Sequence, residues 1–176
     1  VFTLQRTSKR FSDWLKTQDG REFRGTIQPL KEGSVSASTF AEGRYMLHVA
    51  VNEPVTAGTV IFDRWNRPFL VGSHDIRRDA RSHKLFVMTD YVSWTRSVPQ
   101  TDLVTGLKKS EQEVELGPIW CAIEIFGREE VDRAVHVGFD RSKVLTGSPI
   151  LLNDKIDGRM VRRLFNVFGV WSGEIQ

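Results

Sequence analysis

Along this chain the apolar positions recur most often at every second residue, the period of a β-strand with one buried face. Tyr45, Leu47, Val49 and Val51 alternate with Arg44, Met46, His48 and Ala50, and Asn52-Glu53-Pro54 closes that run. Further on, Glu111, Glu113 and Glu115 alternate with Gln112, Val114 and Leu116. Ile119, Cys121, Ile123 and Ile125 then alternate with Trp120, Ala122 and Glu124, and Val135, Val137 and Phe139 repeat the pattern within 131–139. Shorter β-branched and aromatic runs predict strands at 22–27, 59–62, 69–71 and 148–152. The stretch 153–158, NDKIDG, ends in the Asp-Gly pair of a hairpin turn and leads into expected strands at 159–168 and 169–176.

Residues 57–96 read as strand, turn, strand, charged loop and strand. Arg64-Trp65-Asn66-Arg67-Pro68 carries turn chemistry, and 73–84 is polar enough to predict an exposed loop. From 85 to 96 no Gly or Pro interrupts an apolar run that would span roughly 40 Å as one strand, so a bend is expected near Thr89-Asp90. The exception to the strand period lies at the start. Phe11, Trp14, Leu15 and Gln18 fall at helical spacing, which predicts a short amphipathic helix over 3–18. Its stripe is too narrow for a membrane surface, so Phe11, Trp14 and Leu15 are expected to contact the protein itself or a neighbouring subunit.

The expected fold is therefore all-β, mainly an antiparallel barrel or sandwich in one or two β subdomains, with a short N-terminal helix. Its divisions are a helix or arm at 1–19, a first β domain at 20–98, a linker or long loop at 99–113 and a second β subdomain at 114–176. Both halves contain an apolar strand, an Asp- or Asn-opened turn and a second strand: Ile61-Phe62-Asp63 with Phe69-Leu70-Val71, and Leu151-Leu152-Asn153 with Met160-Val161. That correspondence points to a structural repeat.

Composition adds limits rather than a function. Forty per cent apolar and 27 per cent charged residues mark an ordinary globular chain, and no apolar run reaches the roughly 20 residues of a spanning helix. No signal-peptide core is present in the first 25 residues, and the lone Cys121 excludes an intramolecular disulfide, so synthesis in the cytosol is expected. Net charge is +3 but unevenly shared. Residues 1–99 carry 15 Lys/Arg against 10 Asp/Glu, and residues 100–176 carry 10 against 12. Such asymmetry suits a nucleic-acid surface or head-to-tail stacking of copies.

Few residues suggest reaction chemistry. Ser73-His74-Asp75 has the residue types of a hydrolytic triad, but neighbours on an extended chain point to opposite sides and cannot form the relay. His74, Asp79 and His83 would reach one metal ion only if the loop folded back. Cys121 lies in an apolar run without a flanking charge to activate it. Glu129, Glu130, Asp132, Asp154 and Asp157 pair carboxylates without a cleft to hold them, and Arg159, Arg162 and Arg163 alternate across a strand. No phosphate loop, dinucleotide fingerprint or zinc spacing occurs. Arg77, Arg78, Arg81 and Lys84, near Trp65 and His74, form the densest basic stretch and a candidate contact for a nucleic-acid backbone.

The run Ala57-Gly58-Thr59-Val60-Ile61-Phe62-Asp63, followed by Arg67-Pro68-Phe69-Leu70-Val71-Gly72 and later Leu85-Phe86, resembles the head-closure and head-tail joining proteins of tailed bacteriophages. Pro118-Ile119-Trp120-Cys121-Ala122-Ile123 is similar to their Trp-containing strand. The resemblance implies a non-enzymatic structural subunit of the phage neck, without cofactor or metal, assembled in the host cytoplasm into the virion. Its implied partners are copies of itself in a ring, the portal or adaptor and tail proteins, and packaged double-stranded DNA; no membrane is involved. Arg77, Arg78, Arg81 and Lys84 would then face the DNA channel or a partner. The alternatives are a β-barrel nucleic-acid-binding module using the same 77–84 stretch, and a β-rich hydrolase with a metal at His74 and His83.

Overall fold

The computed structural model describes residues 13–30, 45–77, 80–102, 104–125, 142–167 and 169–176. They form two closed antiparallel β-barrels of six strands each. The first uses Asp13–Thr17 (β1), Glu22–Pro29 (β2), Tyr45–Ala50 (β3), Val60–Phe62 (β4), Pro68–Arg77 (β5) and Ala80–Val87 (β6), in the spatial order β1-β2-β3-β6-β5-β4. Its alternating positions send Leu15, Phe23, Leu47, Val49, Ile61, Phe69, Val71 and Leu85 inward, and Val55 from the β3–β4 connection joins them. Each such side chain contributes about 1.5–3 kcal/mol by leaving water. Gly25 lies under this cluster, where a Cβ would come 2.9 Å from Leu15 and 3.0 Å from Leu47 and Val49.

The second barrel uses Asp90–Thr101 (β7), Lys108–Ile125 (β8), Ser142–Thr146 (β9), Lys155–Ile156 (β10), Arg159–Val167 (β11) and Val170–Ile175 (β12). Its order, β7-β8-β9-β12-β11-β10, traces the same path as the first barrel. Trp94, Ile119, Cys121, Val144, Ile150, Ile156, Val161 and Ile175 fill it. The Asp-Gly turn sits where expected: Asp157 (φ 52°) and Gly158 (φ 75°) join β10 to β11 in left-handed backbone suited to a two-residue hairpin.

Several expectations change. Residues 13–17 are a strand, paired with β2 and β4, and not part of a helix; residues 1–12, including Phe11, lie outside the described residues. Leu15 and Thr17 alternate inward at period two while Trp14 and Lys16 face out, and over five residues this pattern overlaps helical spacing. The stretch 73–84 is largely paired, because β5 and β6 form a hairpin with His74 opposite His83 and Arg77 opposite Ala80. Residues 99–113 are not a linker: β7 and β8 pair from Asp90↔Cys121 out to Thr101↔Lys108. The barrels instead join through Met88 and Thr89, where the bend was expected. Residues 148–152 form a turn and not a strand, and the run at 131–139 lies outside the described residues.

The outer walls of the barrels meet in an apolar seam of Val60, Leu70, Met88, Ala122 and Leu145, flanked by Phe62, Phe86, Trp120 and Val170. Phe62 meets Trp120 edge to face at 5.9 Å. At one end of the seam, backbone approaches backbone. A Cβ on Gly58, whose φ is +88°, would lie 2.5 Å from the carbonyl oxygen of Gly169, and one on Gly147 would collide with the Gly58 carbonyl. Only glycine permits that approach.

Candidate functional site

Three surface features stand outside the packed cores. The first is the outer part of the β7–β8 hairpin. Beyond Thr95, where β7 also pairs with β10, residues 96–101 pair only with β8 among the described residues, so within these both outer edges of the hairpin are open. The Asp102 carboxylate caps its turn by accepting from the Val104 and Thr105 amides, and those bonds hold the carboxyl below its ordinary pKa. Val104 is 94 per cent and Leu107 69 per cent exposed at the tip. Pairing places Glu111, Glu113 and Glu115 on one face with Pro99, Ser97 and Thr95, and Val98 and Val114 on the other. Ion pairs tie Glu111 to Lys108 and Glu113 to Lys155.

The hairpin root is rigid. Asp154, 1 per cent exposed, accepts from Trp94 Nε1, Arg96 Nε, Arg96 Nη2 and the Leu151 amide, each at 2.8 Å. Arg96 Nη2 also donates to the Pro149 carbonyl at 3.1 Å. Burial pushes the Asp154 carboxyl up, but the Arg96, Leu151 and Trp94 bonds outweigh it and hold the group below the ordinary carboxylate value. Arg96 is raised in turn, first by its bonds to Asp154. The sequence shows Asp154 only as a carboxylate without a cleft and gives no sign of Arg96 as its partner, because 58 residues separate the two.

The second feature is aromatic and basic. Arg24 lies over the Trp14 ring at 4.6 Å, and Arg64 and Arg67 lie over Trp65 at 3.9 and 5.0 Å. The Arg64–Asp13 ion pair at 3.6 Å links the two groups, and both indoles are more than half exposed.

The third is a cavity of about 350 Å³ between the β3–β4 connection and the β5–β6 ladder. His83 is fully buried at its floor, with Nδ1 3.5 Å from the Gly72 carbonyl and its ring 5.1 Å from that of His74. Burial holds His83 below the ordinary imidazole pKa, the Gly72 contact opposes this, and positive charge on His74 and Arg81 adds to it. Arg81 Nη2 donates to the Glu53 carbonyl. His83 Nε2 and Arg81 Nε are buried without a hydrogen-bond partner, each at a cost of about 1–3 kcal/mol if left so.

Of the basic stretch read from sequence, only the Arg81 and Lys84 side chains fall among the described residues, on opposite faces of β6. Arg78 lies outside the described residues, and Arg77 ends β5. Arg81 lines the cavity, while Lys84 is exposed and falls out of phase with the inward-facing His83 and Leu85. Of the expected contact residues, Trp14 is exposed but Leu15 is in the first core. Hairpin pairing brings His74 and His83 together, the constraint that sequence spacing lacked, and Asp79 lies outside the described residues. Cys121 is buried, and burial raises its thiol to about 12, with Asp90 and Asp157 adding to the effect. Among the described residues no group of three or more His, Cys, Asp or Glu could hold a metal. His48 Nδ1 and Ser82 Oγ are 2.9 Å apart, but they pair across the outer wall of the first barrel and do not line this cavity. Comparison with protein-family models, curated proteins and solved structures gives no match to this chain.

Proposed function

We propose that the chain is a structural subunit of a tailed-phage neck, a ring-forming connector between head and tail that acts by shape and contact. The observation that carries this reading is the β7–β8 hairpin, which extends open edges and an apolar tip from a two-barrel body. Each barrel closes on itself, so the strand edges open to another chain lie on extensions such as this one. The apolar seam and the Gly58, Gly147 and Gly169 contacts fix one barrel against the other, which suits a subunit that acts by shape. The hairpin carries the acidic ladder, while residues 1–99 carry 15 Lys/Arg against 10 Asp/Glu, which favours a head-to-tail contact between copies. Negative-stain microscopy of the purified chain tests this: rings are expected, and Val104→Asp with Leu107→Asp should abolish them without unfolding the barrels. Rings unchanged in that variant would refute the hairpin contact.

A nucleic-acid-binding module remains the second reading, now carried by Trp14 with Arg24 and Trp65 with Arg64 and Arg67 rather than by residues 77–84. Exposed indoles flanked by guanidinium groups suit base stacking. Binding by the monomer that weakens steeply with salt, and is lost in Trp14→Ala with Trp65→Ala, would favour it over the connector.

A further inference from the structure

The cavity under the β3–β4 connection is not used by the connector reading. Val55, Thr56, Ser73, His74, Arg81 and His83 line it, and two of these residues hold a buried nitrogen with no hydrogen-bond partner among the described residues: Arg81 Nε and His83 Nε2. We infer that this cavity is an oxyanion site, accepting a carboxylate or phosphate group between the Arg81 guanidinium and the His83 imidazole, with the Thr56 and Ser73 hydroxyls beside it.

The facing imidazoles would also suit one metal ion, since two rings ligating a single ion lie at about the separation seen here. One observation decides against that ligand: Arg81 brings a fixed positive charge to the same cavity. For an anion the same features are favourable, because a guanidinium donor meets an oxyanion with a charge-assisted bond.

The site couples binding to one proton. Burial holds the His83 imidazole below its ordinary pKa, and its Nδ1 lies toward the Gly72 carbonyl. An arriving anion supplies the missing counter-charge, so His83 gains a proton from solvent on Nε2, keeps it, and donates a hydrogen bond through it to the ligand while Nδ1 keeps Gly72. Among the described residues, His74 across the ladder and Arg81 on the same strand are the titratable or charged groups facing it. Leu47 on β3 and Val55 and Thr56 on the connection are uncharged, and Glu53 reaches Arg81 through its main-chain carbonyl.

The test is an NMR pH titration of the His83 ring in the full chain from about pH 8 to about pH 5, the range of an imidazole, in chloride, inorganic phosphate or acetate at matched ionic strength. The expected result is a higher His83 pKa in at least one oxyanion, with each unit of rise matching about tenfold tighter binding to the protonated form. Arg81→Gln should remove the shift while the amide spectrum stays dispersed; the wild-type comparison stands even if that variant unfolds. Phosphate acting without acetate assigns a phosphate site, and acetate alone a carboxylate site. A His83 titration identical in all three salts, or ring signals that respond to zinc ions and to neither anion, overturns the proposal. The connector reading is untouched by either result.

Discussion

Replacing Asp154 by alanine leaves Trp94 Nε1, the Leu151 amide and two Arg96 donors without their shared acceptor. Arg96 keeps only its bond to Pro149. The carboxylate is buried and the Arg96 side chain is 28 per cent exposed, so solvent recovers little of the loss. Breaking a buried charge pair from one side costs about 3–5 kcal/mol. At about 2–4 °C per kcal/mol for a chain of this size, Asp154→Ala should lower Tm by roughly 6–20 °C. Asp154→Asn keeps one acceptor oxygen for Trp94 or Leu151 and should cost less than alanine. The assay is thermal and urea unfolding followed by Trp fluorescence, with exposed Glu111→Ala as a control within about 0.5 kcal/mol of wild type. The pH dependence carries a fixed sign. The Asp154 pKa is depressed by folding, so its contribution is complete above the ordinary value of about 3.9 and is lost as pH falls through the lower folded value. An alanine variant as stable as Glu111→Ala would refute the claim that this cluster anchors the hairpin root.

The other predictions concern the seam, the thiol and the cavity wall. Gly58→Ala adds a Cβ 2.5 Å from the Gly169 carbonyl at φ +88° and should destabilise by more than about 1 kcal/mol, whereas Gly106→Ala at φ +68° meets no atom within 4 Å and bears only the backbone strain; parallel melts compare them. Cys121, with its thiol raised to about 12, should resist alkylation near pH 8 in the native chain and react once unfolded, and native reactivity at the rate of a free thiol would contradict its burial. Arg81→Gln should leave both barrels folded, since Arg81 reaches the fold through one bond to Glu53, and a collapsed amide spectrum would give it a structural role instead.

What could be read in advance depended on whether one face of a strand was buried. Tyr45–Ala50 and 119–125 were legible because Leu47, Val49, Ile119 and Cys121 go inward against outward neighbours. Where the inner face carries a polar group, the alternation disappears: His83 lies in the first barrel, so 73–84 looked like a solvated loop. The outer hairpin has solvent on both faces, so 99–113 resembled a linker. The 111–116 and 119–125 runs form one strand, β8, interrupted by a register shift where Trp94 opposes Gly117. Trp14 and Leu15 suggested a helix because five residues are too few to separate a period of two from 3.6. The Asp154–Arg96 pair and the His74–His83 contact depend on strand pairing, which residue types alone do not specify.

Light scattering on a sizing column, with the full chain alone and with double-stranded DNA at low and high salt, tests the connector account most directly. The account expects a mass that is a multiple of 20.1 kDa without DNA, returning to 20.1 kDa in Val104→Asp with Leu107→Asp. A chain that stays monomeric alone, gains mass only on DNA and releases it in high salt would contradict it.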